Sequence, residues 1–224
     1  MFVAIRGLRR LCEIRLAAVP HARRGHDKPP RTWHNRLAIG PGSKSVVVGQ
    51  LLLLRHAKSS WDDPRLGDHA RPLSARGRRA AAAMRRAMQE LDLVPDVVLV
   101  SSARRTLQTL EALEPWVESP LVERMDALYL AGAPQLLQIL HGVAETARSV
   151  LLVGHNPGLH DLALLLIGGR AAAMATPLTR RLAESYPTGA LAEFAVRGGW
   201  RTLEAGGGRL LRFLRPRDLP EVAA

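Results

Sequence analysis

From Gln50 onward, short unbroken apolar runs alternate with longer stretches in which apolar residues recur every three or four positions. Leu51-Leu52-Leu53-Leu54 has the length and continuity of a buried strand and stops at Arg55-His56. Pro72-Leu73-Ser74 then opens a helix, with Ser74 as the N-cap. Ala80, Met84, Ala87, Met88 and Leu91 share one face of it and Arg78, Arg79, Arg85 and Arg86 take another. Asp96 to Val100 reads as a second buried strand that ends at Ser101-Ser102, and the helix after it carries Leu107, Leu110, Leu113 and Val117 on its inner stripe. Pro134 suits the first turn of a third helix with Leu136, Leu137 and Leu140. Val150 to Val153 is another all-apolar strand, followed by Gly154-His155-Asn156-Pro157-Gly158 and the apolar stretch Leu162 to Ile167. Ala190 to Val196 and Arg209 to Leu214 read as strands on either side of Gly206-Gly207-Gly208. Fully apolar strands alternating with helices predict an α/β three-layer sandwich around a mainly parallel sheet.

Residues 1–48 lack this periodicity and contain Pro29-Pro30 and Gly40-Pro41-Gly42. The chain divides into a basic, disordered N-terminal extension over 1–48, a folded domain over 49–219 and a short tail over 220–224. Of the net charge of +12, residues 1–49 hold +8 and the rest only +4. An Arg-rich, acid-poor start suits a transit segment, a poorly ordered extension or upstream sequence included by a misplaced start codon, and we favour the last two. The basic arm can attract any polyanion, so the charge is weak ground for nucleic-acid binding. Arginine outnumbers lysine 29 to 3 along the whole chain, a skew of base composition more than of function. A single cysteine, Cys12, excludes a disulfide framework and favours a reducing, cytoplasmic setting. The apolar run Val46–Leu54 is too short to cross a bilayer, so a soluble protein is expected, with no membrane partner.

Three predicted strands end in, or lead at once to, cationic or imidazole residues: Arg55-His56, Arg104-Arg105 and His155. In open α/β sheets, ligands bind at the carboxyl ends of the strands. Guanidiniums and imidazoles gathered there beside helix N-termini suit a phosphate or other oxyanion and not a cation. No metal and no cofactor is expected.

The blocks Leu52-Leu53-Leu54-Arg55-His56-Ala57-Lys58-Ser59-Ser60-Trp61, Asp68-His69-Ala70-Arg71-Pro72-Leu73-Ser74-Ala75-Arg76-Gly77, Ser101-Ser102-Ala103-Arg104-Arg105-Thr106-Leu107-Gln108-Thr109 and Val153-Gly154-His155-Asn156-Pro157 resemble the histidine phosphatase superfamily, in particular its SixA-like phosphohistidine phosphatases. The resemblance runs from about Gln50 to Leu219. It implies a phosphoglycerate-mutase-like fold and a metal-independent phosphatase. His56 resembles the nucleophile that takes the phosphoryl group onto an imidazole nitrogen. Arg55 and Arg105 would clamp its oxygens and His155 would donate a further hydrogen bond. Arg105 is preferred to Arg104 because it stands in the Arg-x-x-Gln-Thr pattern. Lys58, beside the nucleophile, could steer anions or be an ordinary exposed lysine.

Two departures bear on mechanism. The Arg-His pair is followed by Ala57 where many members have glycine, as fits the SixA-like branch. The stretch Asp126-Ala127-Leu128-Tyr129-Leu130-Ala131-Gly132 carries no carboxylate in the place of the usual proton donor, which leaves Asp68 as the candidate acid. Asp68 and Arg71 could equally pair across a loop. Ser59, Ser60 and Ser101 lack a Gly-x-Ser-x-Gly elbow, so capping or phosphate hydrogen bonding suits them better than nucleophilic attack. His141 and His160 read as structural, Gly206–Gly208 as a turn, and Trp61 as either site rim or packing. The substrate implied is a phosphohistidine on a protein. A small phosphomonoester or a sugar or nucleotide phosphate is the alternative within the same class, and a polyanion-binding module working through the basic arm is the alternative outside it.

Overall fold

A computed structural model describes residues 48–219. The expected extension, apart from its last residue, and the tail 220–224 lie outside the described residues. Six strands form one sheet in the order β3-β2-β4-β1-β5-β6: β1 Val48–Arg55, β2 Val97–Ser101, β3 Leu121–Met125, β4 Ser149–Gly154, β5 Leu191–Arg197 and β6 Gly208–Leu214. The first four run parallel, with Leu52 opposite Leu151 and Val98 opposite Leu151 on the other side. β5 and β6 add on antiparallel.

Side chains alternate across a strand, so an unbroken apolar strand must be covered on both faces. β1 shows this: Leu51 and Leu53 join one core with Leu136, Leu140, Leu159, Leu162 and Phe194, whereas Leu52 and Leu54 join a second with Met84, Met88, Leu110 and Val153. The helices α3 (Ala133–His141), α4 (Gly158–Leu166) and α6 (Pro177–Glu184) thus pack on one face, and α1 (Ala75–Glu90) and α2 (Arg104–Glu111) on the other. A short helix α5, Gly169–Ala173, links α4 to α6. None of the described helices is long and apolar enough to cross a membrane.

Ser74 caps α1 by accepting a hydrogen bond from Gly77 N, and Pro134 occupies the first turn of α3. Three features differ from the periodicity. The helix after β2 ends at Glu111, so Val117 is 70% exposed instead of lining an inner stripe. β3 is an edge strand whose residues are exposed or half-buried, which removes the apolar run that would announce it. β1 begins at Val48, one residue inside the stretch assigned to the extension.

Two helix starts approach the site loops without room for a side chain. A Cβ at Gly77 would lie 2.1 Å from the Lys58 carbonyl oxygen, and one at Gly158 would lie 1.8 Å from that of Ala131. Backbone cannot yield as a flexible side chain can, so Gly77→Ala and Gly158→Ala should each lower stability by about 2 kcal/mol or more. Gly67, with open space around it, should accept alanine almost silently. Urea unfolding midpoints of the three variants check this ranking.

Candidate active site

The carboxyl ends of β1, β2 and β4 lie side by side and bring together His56, Ser101 and His155. β1 hands the chain to Arg55-His56, where His56 N donates to Gly154 O at 3.1 Å, continuing the pairing with β4 past the strand end. Gly189, with φ +77°, donates its N–H to the carbonyls of both Arg55 and His56 at 3.1 and 3.0 Å, a conformation that glycine adopts freely. The Arg55 guanidinium donates to Tyr186 O at 2.7 Å, and Asn156 Nδ2 donates to the same carbonyl at 3.0 Å. Tyr186 is itself buried, its hydroxyl donating to Leu53 O at 2.6 Å.

The block around Arg105 fixes α2 to the neighbouring loops. Thr109 Oγ1 accepts from Ala57 N at 3.0 Å, and Gln108 Oε1 accepts from Leu73 N at 2.7 Å. Arg105 then points inward and is 4% exposed, while Arg104 faces solvent. Arg105 donates to Asp68 O at 2.6 Å, to Asp68 Oδ2 at 2.9 Å and to His155 Nδ1 at 3.2 Å.

Donor and acceptor chemistry assigns both imidazoles. His56 Nδ1 lies 2.8 Å from Ala57 O. A carbonyl only accepts, so Nδ1 carries the proton and Nε2 is left with its lone pair. Burial lowers the His56 pKa to about 4, the Arg105 and Arg55 charges adding to it against the hydrogen bond to Ala57. At His155 the guanidinium of Arg105 can only donate, so Nδ1 is the acceptor and Nε2–H donates to Ser101 Oγ at 2.8 Å. Burial, then the neighbouring His56 and Arg105, lower the His155 pKa to about 3. The two rings stand 5.2 Å apart between centroids. Arg55 is pulled below the usual arginine range by burial and then by repulsion from Arg105. An anion between them relieves that repulsion.

Asp68 sits in the 3-10 turn Asp68–Ala70 and reaches the site, but as an acceptor. It takes hydrogen bonds from Tyr129 Oη at 2.6 Å, Arg105 Nη2 at 2.9 Å and Arg71 Nη1 at 2.9 Å. The Tyr129 hydroxyl, then Arg105, hold its carboxyl below the usual range. Its lowered pKa favours the carboxylate over the acid form. Arg71 also donates to Ser59 Oγ and Ser60 O and lies 3.1 Å from the ring centre of Trp61, which is 71% exposed. Trp61 therefore covers Arg71 at the rim. Lys58 is exposed, and its carbonyl accepts from Ser74 N and Oγ. Among the described residues, no group of three or more His, Cys, Asp and Glu side chains is arranged to hold a metal ion.

Tyr129 enters the site without a local signal in the sequence: it stands edge-on to His155 at 5.4 Å and to His69 at 4.8 Å. Ser101 could be noticed as the polar residue that ends an apolar strand, but its partner lies 54 positions away.

A family model, Histidine phosphatase superfamily (branch 1), matches residues 51–127. An uncharacterized protein of Mycobacterium tuberculosis is 34% identical over 166 residues, covering 73% of this chain and all of the relative. Among solved structures, one from Nakamurella multipartita that carries the name phosphohistidine phosphatase SixA is 29% identical, with a TM-score of 0.66 over 75% of this chain and 96% of that one. Another of the same name, from Agrobacterium tumefaciens, is 28% identical with a TM-score of 0.63, over 75% of this chain and 98% of that one.

Both site imidazoles have folded-state pKa values below the ordinary 6.5, so the unfolded chain binds more protons between pH 6.5 and about 4. Stability therefore falls as the pH drops through that window and is fully present above it. Between pH 7 and pH 5 each histidine should cost roughly 2 kcal/mol. Denaturant melts at the two pH values should show this loss, and His56→Asn with His155→Asn should flatten the dependence.

Proposed function

Because the chain belongs to the histidine phosphatase superfamily and is a histidine-dependent phosphatase, we propose that it hydrolyses protein phosphohistidine, without a metal, through a covalent phosphoryl group on His56. The observation that carries this reading is the hydrogen bond from His56 Nδ1 to Ala57 O, which leaves Nε2 as a buried, unprotonated lone pair beside two guanidiniums.

In this reading His56 Nε2 attacks phosphorus as the bond to the substrate nitrogen breaks. The substrate imidazole, protonated on its other nitrogen, departs neutral and needs no proton from the enzyme. The phosphorylated His56 ring keeps its Nδ1–H against Ala57 O, which stabilises the positive charge on the ring. Water then attacks phosphorus, Nε2 regains its lone pair, and dihydrogen phosphate leaves. Arg55 and Arg105 offset the charge on the phosphoryl oxygens, the larger share of catalysis in phosphoryl transfer. Dividing the hydrolysis in two is the benefit of the covalent step.

The ionised state of Asp68 supports phosphohistidine over alkyl phosphates. An alkoxide leaving group benefits from a proton donor worth typically about 10²–10⁴-fold, and Asp68 is held as an anion. The structures from Nakamurella and Agrobacterium that bear the phosphohistidine phosphatase name agree with this choice. Lys58 enters the proposal as an anion-steering residue at the rim. Residues 1–47 enter it as an extension outside the catalytic unit, since Val48 already belongs to β1. The single cysteine suits a cytoplasmic location.

A rapid acid-free quench with a phosphohistidine peptide should trap phosphate on the enzyme in an acid-labile, alkali-stable form. His56→Ala should abolish the label, and full turnover by that variant would refute the mechanism. Chelator should leave the rate unchanged. Phosphoserine should be turned over far more slowly than phosphohistidine, and equal rates would transfer the assignment to a small phosphomonoester.

The two adjacent arginines should separate cleanly. Arg105→Ala should lose on the order of a hundredfold or more in turnover, as removal of a transition-state donor does. Arg104→Ala, exposed to solvent, should keep nearly all of it. Steady-state rates on one substrate suffice.

A further inference from the structure

His155 presents the wrong nitrogen state for an oxyanion. Its site-facing Nδ1 is a lone pair that accepts from Arg105, and its proton sits on the far side, on Nε2, where Ser101 Oγ accepts it at 2.8 Å. Ser101 is fully buried at the end of β2, and its Oγ also accepts from Ala103 N at 3.4 Å. A phosphoryl dianion bound here would draw the Arg105 guanidinium away from Nδ1. A bare lone pair would then face negative oxygens.

We propose that His155 takes up a solvent proton at Nδ1 when the phosphoryl anion binds, and that Ser101 is the positioning residue which permits this by accepting Nε2–H both before and after. The inference rests on the proposed oxyanion site. The proton adds to the Nδ1 lone pair and is donated to a phosphoryl oxygen, so both N–H groups of the imidazolium have acceptors. The groups facing the ring agree with this. Burial first, then His56 from the end of β1, Arg105 from α2 and Arg55, keep His155 neutral, with Asp68 opposing them and Tyr129 edge-on at 5.4 Å. A bound dianion opposes both the burial cost and the repulsion, since it meets the guanidiniums directly and favours a proton on the Nδ1 that faces it. Without Ser101 the imidazolium would bury an unpaired N–H, and a buried donor without a partner is costly.

At about pH 8 tungstate is a monomeric tetrahedral dianion that carries no proton, so any proton taken up on binding there belongs to the protein. Calorimetric titration of the full chain with sodium tungstate, in two buffers of different ionisation enthalpy, counts that proton. The wild type and His56→Asn should each take up most of one proton per anion, whereas His155→Asn should take up almost none. Ser101→Ala should lose most of the uptake and bind tungstate about tenfold more weakly, and Ser101→Thr should restore both. Binding without uptake, uptake that follows His56 instead of His155, or full uptake in Ser101→Ala would overturn the inference. If the wild type binds tungstate without uptake while phosphate is still trapped on His56, the inference fails and the phosphatase mechanism stands. If tungstate does not bind at all, the oxyanion site itself is overturned.

Discussion

Two guanidiniums share one end of a parallel sheet with two imidazoles, and the Asp68 carboxylate is the counterion of one of them, Arg105. Arg105 is nearly buried, and Arg55 feels its charge. Burying like charges together is expensive unless hydrogen bonds and counter-charge compensate. Every nearby element contributes to that compensation: the Tyr186 carbonyl to Arg55, the Asp68 carbonyl and carboxylate to Arg105, and His155 Nδ1 to Arg105 again. The electrostatic arrangement that makes the site costly to fold is the same one that an oxyanion completes.

That constraint also sets the protonation of the imidazoles. Burial first, and positive neighbours after it, keep both rings neutral, and backbone or side-chain partners then decide which nitrogen carries the single proton. For His56 the partner is a carbonyl one residue away, so the tautomer is a local property of the turn that follows β1. For His155 it is a cation from α2 and a hydroxyl from β2, so the tautomer is a property of the fold. One ring is therefore poised by its own backbone. The other responds to whatever Arg105 is doing.

This division explains what the sequence discloses. Leu51–Leu54 and Val150–Val153 are continuous apolar runs because both faces of those strands are covered, and the polar residues that end them mark the sheet edge. Arg105 is separable from Arg104 because Gln108 and Thr109 fix the rotation of α2 through Leu73 and Ala57. β3 leaves no such trace, since an exposed edge strand carries Glu123 and Arg124 as readily as Leu121. The leucine spacing after Leu107 continues past Glu111 although the helix does not, because Leu113 is buried from a turn and Val117 is not buried at all. The place of Tyr129 in the site and the lowered pKa of Asp68 depend on a contact across 61 positions, which no local pattern encodes.

Asp68 also explains how Arg105 can be released without dismantling the site. Its two carboxylate oxygens are divided: Oδ1 is held by Arg71, and Oδ2 is shared between Arg105 and Tyr129. Arg71 in turn binds Ser59 and Ser60 and is covered by Trp61, so the loop between β1 and α1 is fastened to the 3-10 turn independently of Arg105. Were Arg105 to turn toward an anion, Asp68 would keep two of its three charged or hydroxyl donors and the loop would keep its anchor. The carboxylate therefore stays partnered by Arg71 and Tyr129 without Arg105.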